Sequence, residues 1–115
     1  MKRNAIFFWL SCLLLFGGCQ KKKPADVTIQ VVMRKYMIEP PVIRVKSGQL
    51  VELSITTKDV QHGFDLPALG IKEPVQPGKT TTVRFTAPAK GEYHIACGIL
   101  CGPHHDEMEG KLVVE

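Results

Sequence analysis

The stretch L-V-E-L-S-I-T-T at residues 50–57 has the clearest periodicity in the chain. Val51, Leu53 and Ile55 fall on one side, and Leu50, Glu52, Ser54 and Thr56 on the other. Side chains of an extended strand point alternately to opposite faces, so this pattern marks a half-buried β-strand.

The neighbouring segments read the same way. Val27 to Ile38 is one run rich in Val, Ile, Thr and Tyr, suited to a strand. Val42 to Lys46 sets Ile43 and Val45 against Val42, Arg44 and Lys46, and Ser47-Gly48 then turns the chain. Thr80 to Thr86 places Val83 and Phe85 opposite Arg84. Gly91 opens Glu92 to Ala96, where Tyr93 and Ile95 share a side, and Lys111 to Glu115 forms a last strand. Pro-Gly at 77–78, Ala-Pro at 87–88 and Lys-Gly at 90–91 punctuate these runs, and none carries a capped helical period. The pattern predicts an all-β domain, an antiparallel sandwich or barrel. Its core is small, so a metal joining distant segments would strengthen it.

The 115 residues suffice for one domain. Residues 1–18 read as a signal peptide: Lys2 and Arg3, an apolar stretch from Ala5 to Phe16, then Gly17-Gly18. That stretch is too short to be a good membrane-spanning helix. Phe16-Gly17-Gly18-Cys19 resembles the lipobox of bacterial lipoproteins, with Phe16 where Leu is more usual. The expectation is cleavage before Cys19 and lipidation of that residue. Residues 19–26 would then be the lipidated cysteine and a polar tether, and 27–115 the domain. The protein would be exported and anchored to a bacterial membrane, facing the periplasm or cell exterior.

The positive net charge lies mostly outside that domain. Five of the fifteen Lys and Arg precede Pro24; beyond it ten basic residues meet eleven acidic ones. No basic face argues for nucleic acid. Lys21, Lys22 and Lys23 beside a lipid anchor would lie near anionic head groups, worth about 1 kcal/mol each, or form a solvated linker.

Of four cysteines, Cys12 lies within the apolar run and Cys19 is assigned to lipid, which leaves Cys97 and Cys101. They sit in C-G-I-L-C-G-P-H-H-D-E-M at 97–108, where His105 and Met108 follow. The pair is either a disulfide or part of a metal site, and the neighbouring His and Met favour metal. Two thiolates, an imidazole and a thioether are soft ligands that suit copper. Gly98, Gly102 and Pro103 make the segment a loop rather than a helix, held between two strands. A further ligand is offered by His62, in D-V-Q-H-G-F, with 34 residues between it and Cys97.

Three features together resemble the copper-A domain of cytochrome c oxidase subunit II, also found in nitrous oxide reductase. They are T-K-D-V-Q-H-G-F-D-L-P at 57–67, L-G-I-K at 69–72 with P-G at 77–78, and the cysteine loop. The resemblance covers Val27 to Glu115 and implies a cupredoxin fold, a Greek-key β-sandwich. It further implies two copper ions bridged by Cys97 and Cys101, with His62 and His105 each capping one. Met108 and the carbonyl oxygen of Ile99 would be weak ligands. The implied activity is transfer of single electrons from a donor such as cytochrome c to an acceptor such as a terminal oxidase, with no catalytic site of the chain's own.

The chain departs from that family in three ways. Ile99 stands where subunit II has an acidic residue that helps hold a metal at its interface. The only Trp, Trp9, is in the signal, so Tyr36 is the nearest substitute for the aromatic electron-entry point. The expected lipid signal stands where subunit II has two membrane helices.

Other residues read more plainly. His104 faces solvent beside His105, and His94 points away from the core. Met33 and Met37 are packing residues. Asp59 holds the His62 loop through backbone donors. Asp106, Glu107 and Glu109 either steer a positively charged partner or form a solvated rim. The competing function is a copper metallochaperone or sensor, which uses the same ligands. A thiol–disulfide protein leaves His62 and Met108 unexplained, and Met108 argues against structural zinc.

Overall fold

The computed structural model describes residues 22–115; the expected signal segment, Cys12 and Cys19 lie outside the described residues. Nine strands follow in order: β1 Val27–Arg34, β2 Met37–Glu39, β3 Val42–Val45, β4 Leu50–Thr57, β5 His62–Leu66, β6 Ile71–Val75, β7 Thr81–Thr86, β8 Gly91–Cys97 and β9 Glu109–Val114. The helical elements are two 3₁₀ turns, Pro67–Leu69 and His105–Glu107. No helix among the described residues is long and apolar enough to cross a membrane.

The strands form a β-sandwich. One sheet has the order β2-β1-β4-β7 and the other β3-β9-β8-β5-β6. The alternation at 50–57 is realised in β4: Val51, Leu53 and Ile55 are buried and their neighbours are not. Val31 and Met33 of β1 join them from the same sheet. Ile43, Phe64, Leu66, Ile95, Leu112 and Val114 face them from the other. Each such side chain, fully buried, contributes about 1.5–3 kcal/mol of hydrophobic stabilisation.

The pairing is mixed rather than antiparallel throughout. Strand β1 runs parallel to β4, with Val31 opposite Ile55, and β3 runs parallel to β9. A tight turn forces two strands antiparallel. Here the chain crosses to the opposite sheet as β3 between β1 and β4, and so returns in the same direction.

The run expected from Val27 to Ile38 is two strands. It breaks at Lys35-Tyr36, and β2 folds back with Ile38 opposite Met33. The break is held from outside, because the Lys35 N–H donates to Asp59 Oδ2 at 2.7 Å and the Lys58 N–H to the Met33 carbonyl at 3.0 Å. Met33 is fully buried as expected, but Met37 is 51% exposed and is no packing residue. Strand β2 is three residues long and runs into Pro40-Pro41, which ends pairing at that sheet edge.

Candidate metal centre

Three adjacent strands of the second sheet converge on the cysteine loop. Cys97 is the last residue of β8 and His62 the first of β5. Strands β5 and β8 pair with Phe64 opposite Cys97. Met108 directly precedes β9, and its carbonyl accepts the Cys97 N–H at 3.3 Å. Gly98 N–H donates to the Gly63 carbonyl at 3.1 Å, tying the loop to β5. Cys101 and His105 are carried by the loop and its 3₁₀ turn.

The candidate ligand atoms meet at one end of the sandwich. Cys97 Sγ is 3.8 Å from His62 Nδ1, 3.8 Å from Cys101 Sγ and 3.2 Å from the Ile99 carbonyl oxygen. Cys101 Sγ is 3.7 Å from His105 Nδ1 and 3.9 Å from Met108 Sδ. The ligand atoms of His62, Cys97 and Cys101 all lie within 4.8 Å of one another. All six residues singled out in the sequence are thus brought together. They divide into two sets: Cys97 with His62 and the Ile99 carbonyl, and Cys101 with His105 and Met108.

The spacing suits metal. Both thiols are free, and the sulfurs are far beyond the ~2.05 Å of a disulfide. Ligands each about 2.3 Å from a tetrahedral ion sit roughly 3.7 Å apart, close to the separations of 3.7–3.9 Å here. His62 is fully buried, Met108 and Cys97 nearly so, and Cys101 half-buried. Burial raises the Cys101 thiol to about 11, aided by its hydrogen bond to Cys97 and the repulsion that two thiolates would feel. A cation between the sulfurs would relieve that repulsion and displace the proton.

His62 is oriented by Asp59, whose Oδ1 lies 2.8 Å from Nε2. With the Nε2 proton on that bond, the Nδ1 lone pair faces Cys97. Asp59 also accepts the backbone N–H groups of Lys35 at 2.7 Å and Val60 at 2.6 Å. Its partial burial pulls its pKa upward, but the two amides and the His62 ring outweigh that and hold it at about 2. The backbone role expected for Asp59 is therefore present. The contact with the His62 ring was not anticipated, although the three-residue separation in D-V-Q-H was there to suggest it.

Tyr36 packs on the loop from the other sheet. Its ring meets that of His104 edge-on with centroids 5.2 Å apart. Its hydroxyl would be 2.5 Å from a Cβ at Gly102, where φ is +154°. Only glycine allows both that backbone and that approach. His94 and His104 are exposed, as expected. So are Asp106, Glu107 and Glu109, and His104 Nδ1 lies 3.5 Å from Glu107. A residue that sequence reasoning missed is Asp65, whose carboxylate lies against Gly98.

Residues 5–114 match a family model described as a cupredoxin-like domain. Over 92 residues the chain is 37% identical to cytochrome c oxidase subunit 2 of Thermus thermophilus, covering 80% of this chain and 68% of that one. It is 31% identical over 97 residues to the subunit 2 of a Synechocystis strain, covering 78% of this chain but only 29% of that relative. Among solved structures, the periplasmic domain of cytochrome oxidase subunit II of Bradyrhizobium japonicum superposes with a TM-score of 0.74 at 24% identity. That match covers 81% of this chain and 86% of that domain. At that identity the likeness speaks for the fold.

Proposed function

Because the chain belongs to the cupredoxin-like family and is homologous within it to cytochrome c oxidase subunit II, we propose that its cysteine loop holds two copper ions and passes single electrons. The observation that carries this reading is the division of the donors: two sulfurs 3.8 Å apart, each with its own ring nitrogen. Here Cys97, Cys101, His62 and His105 would hold the ions, with the Ile99 carbonyl and Met108 as weaker ligands. Such a pair supplies one-electron chemistry with the charge shared by both ions.

The protein's part is to hold still. Cys97 and His62 sit on paired strands, Met108 is bonded back to Cys97, and Asp59 fixes the His62 ring. Ligands that do not move on electron transfer keep the reorganisation small. Tyr36, whose ring meets that of His104 on the loop, would stand in for the aromatic electron-entry point. The donor would be cytochrome c and the acceptor a terminal oxidase. The expected anchor is lipid on Cys19, with the domain at residues 27–115 outside the cytoplasmic membrane.

The test is electron paramagnetic resonance on the full chain loaded with copper, together with the bound copper count. Two coppers per chain with equally shared spin are expected in the wild type, and Cys97→Ser should abolish that spectrum. One copper with localised spin defeats the reading. Ready loss of copper to a chelator through redox cycles would favour a carrier instead.

A further inference from the structure

The carboxylate of Asp65 lies on the cysteine loop itself. A Cβ at Gly98 would fall 2.2 Å from its Oδ1 and 2.3 Å from its Oδ2. The two groups share that space only because residue 98 has no side chain. Asp65 stands opposite Ala96 on β8 and Lys72 on β6, on the face of β5 away from His62. Lys72 is exposed, and Asp65 Oδ1 is buried with no hydrogen-bond partner. Leaving a carboxylate oxygen buried and unpartnered is unfavourable. Nothing in strand packing requires an acid there, yet the glycine it lies against is one residue from Cys97 and one from Ile99.

We propose that Asp65 sets the reduction potential of the cysteine-loop centre, its negative charge against Gly98 favouring the oxidised, more positive state. The inference rests on the two-copper reading. Asp65 takes up no electron; it acts through its field alone. A unit charge about 10 Å away through an effective dielectric of about 20 alters a one-electron equilibrium about tenfold, which corresponds to 59 mV. Partial burial shields this field from salt.

The experiment compares copper-loaded full-length wild type, Asp65→Asn and Asp65→Ala. Spin resonance comes first. A wild type without shared spin overturns the copper reading and this inference with it. Given shared spin, redox titration should show both variants more easily reduced, by about threefold to tenfold, with the shift persisting at about 1 M salt. An Asp65→Asn equilibrium within about twofold of wild type, with an unchanged spectrum, overturns the role of Asp65 and leaves the copper reading intact. An Asp65→Asn spectrum that changes means the residue holds ligand geometry, which also overturns it.

Discussion

Replacing Asp59 with Asn should destabilise the metal-free chain by about 1–2 kcal/mol at pH 7, through loss of one charge and one acceptor. In the wild type one carboxylate oxygen accepts the Lys35 amide at 2.7 Å, and the other accepts the Val60 amide at 2.6 Å with His62 Nε2 at 2.8 Å. Asn offers one oxygen and one NH₂. Whichever way it flips, a donor faces a donor, and either Lys35 or the Val60–His62 pair loses its acceptor. The folded carboxyl titrates at about 2 against an ordinary 3.8. At about 1.36 kcal/mol per pKa unit, that drop is worth at most about 2.5 kcal/mol. The side chain is 32% exposed, and solvent screening trims the figure to about 1–2 kcal/mol.

The sign follows from the depressed pKa. The carboxylate contributes its full stability above pH 3.8 and loses it as pH falls toward 2. Urea unfolding of both metal-free proteins should therefore show a gap at neutral pH that narrows through the acid range. Equal gaps at pH 7 and about pH 2 would refute the charge argument and leave only a shape effect. A second reading comes from copper, where loosening His62 should weaken binding about tenfold.

Three further outcomes are expected. Gly102→Ala should cost about 1–3 kcal/mol in urea unfolding, because its Cβ meets the Tyr36 hydroxyl; a smaller cost in a Tyr36→Ala background would identify that contact as the cause. In the metal-free chain, alkylation of Cys101 should rise with pH about a midpoint near 11, and the fold should lose stability as pH climbs from 9.0 toward that value, since only the unfolded thiol ionises there. A midpoint at or below 9.0 contradicts the burial and Cys97 contact as causes. Phe64→Ala, fully buried opposite Cys97, should cost about 3–5 kcal/mol by denaturant midpoint; a loss under about 1 kcal/mol would mean the site collapses around the gap.

Much of this was legible in the residues. β4 announced its buried face because one side of it packs and the other does not, which is the condition under which alternation survives in a sequence. β5 hid the same period. His62, Phe64 and Leu66 are its inward residues, but Gly63, Asp65 and a histidine that reads as a ligand obscure a short strand. The turn at Lys35-Tyr36 was hidden for a different cause: its acceptor, Asp59, lies 24 residues away, and no local signal reports a bond of that range. Parallel pairing depends on which sheet a connection crosses to, and periodicity carries no information about that. The ligand set was readable because soft donors at short spacing are uncommon. Its supporting residues were harder to see, since Asp59, Asp65 and Tyr36 act through contacts that exist only once the sheets are assembled.

That assembly also explains why the ligands are divided between strands and loop. His62, Cys97 and Met108 sit on or beside β5, β8 and β9, neighbours in one sheet, so their spacing is fixed by strand separation and backbone hydrogen bonds. Cys101 and His105 depend on the loop, which is pinned at Gly98 by β5 and at Gly102 by Tyr36 of the other sheet. Cys97 and His62 are therefore the better ordered half before metal arrives, and Cys101 and His105 the half that metal would organise. A first ion should accordingly engage His62 and Cys97, with the second completing the loop. Stepwise copper titration of His62→Ala and His105→Ala chains checks this order: loss of His62 should impair the first binding event and loss of His105 mainly the second. The reverse pattern would mean that the loop, and not the sheet, is the preformed part of the site.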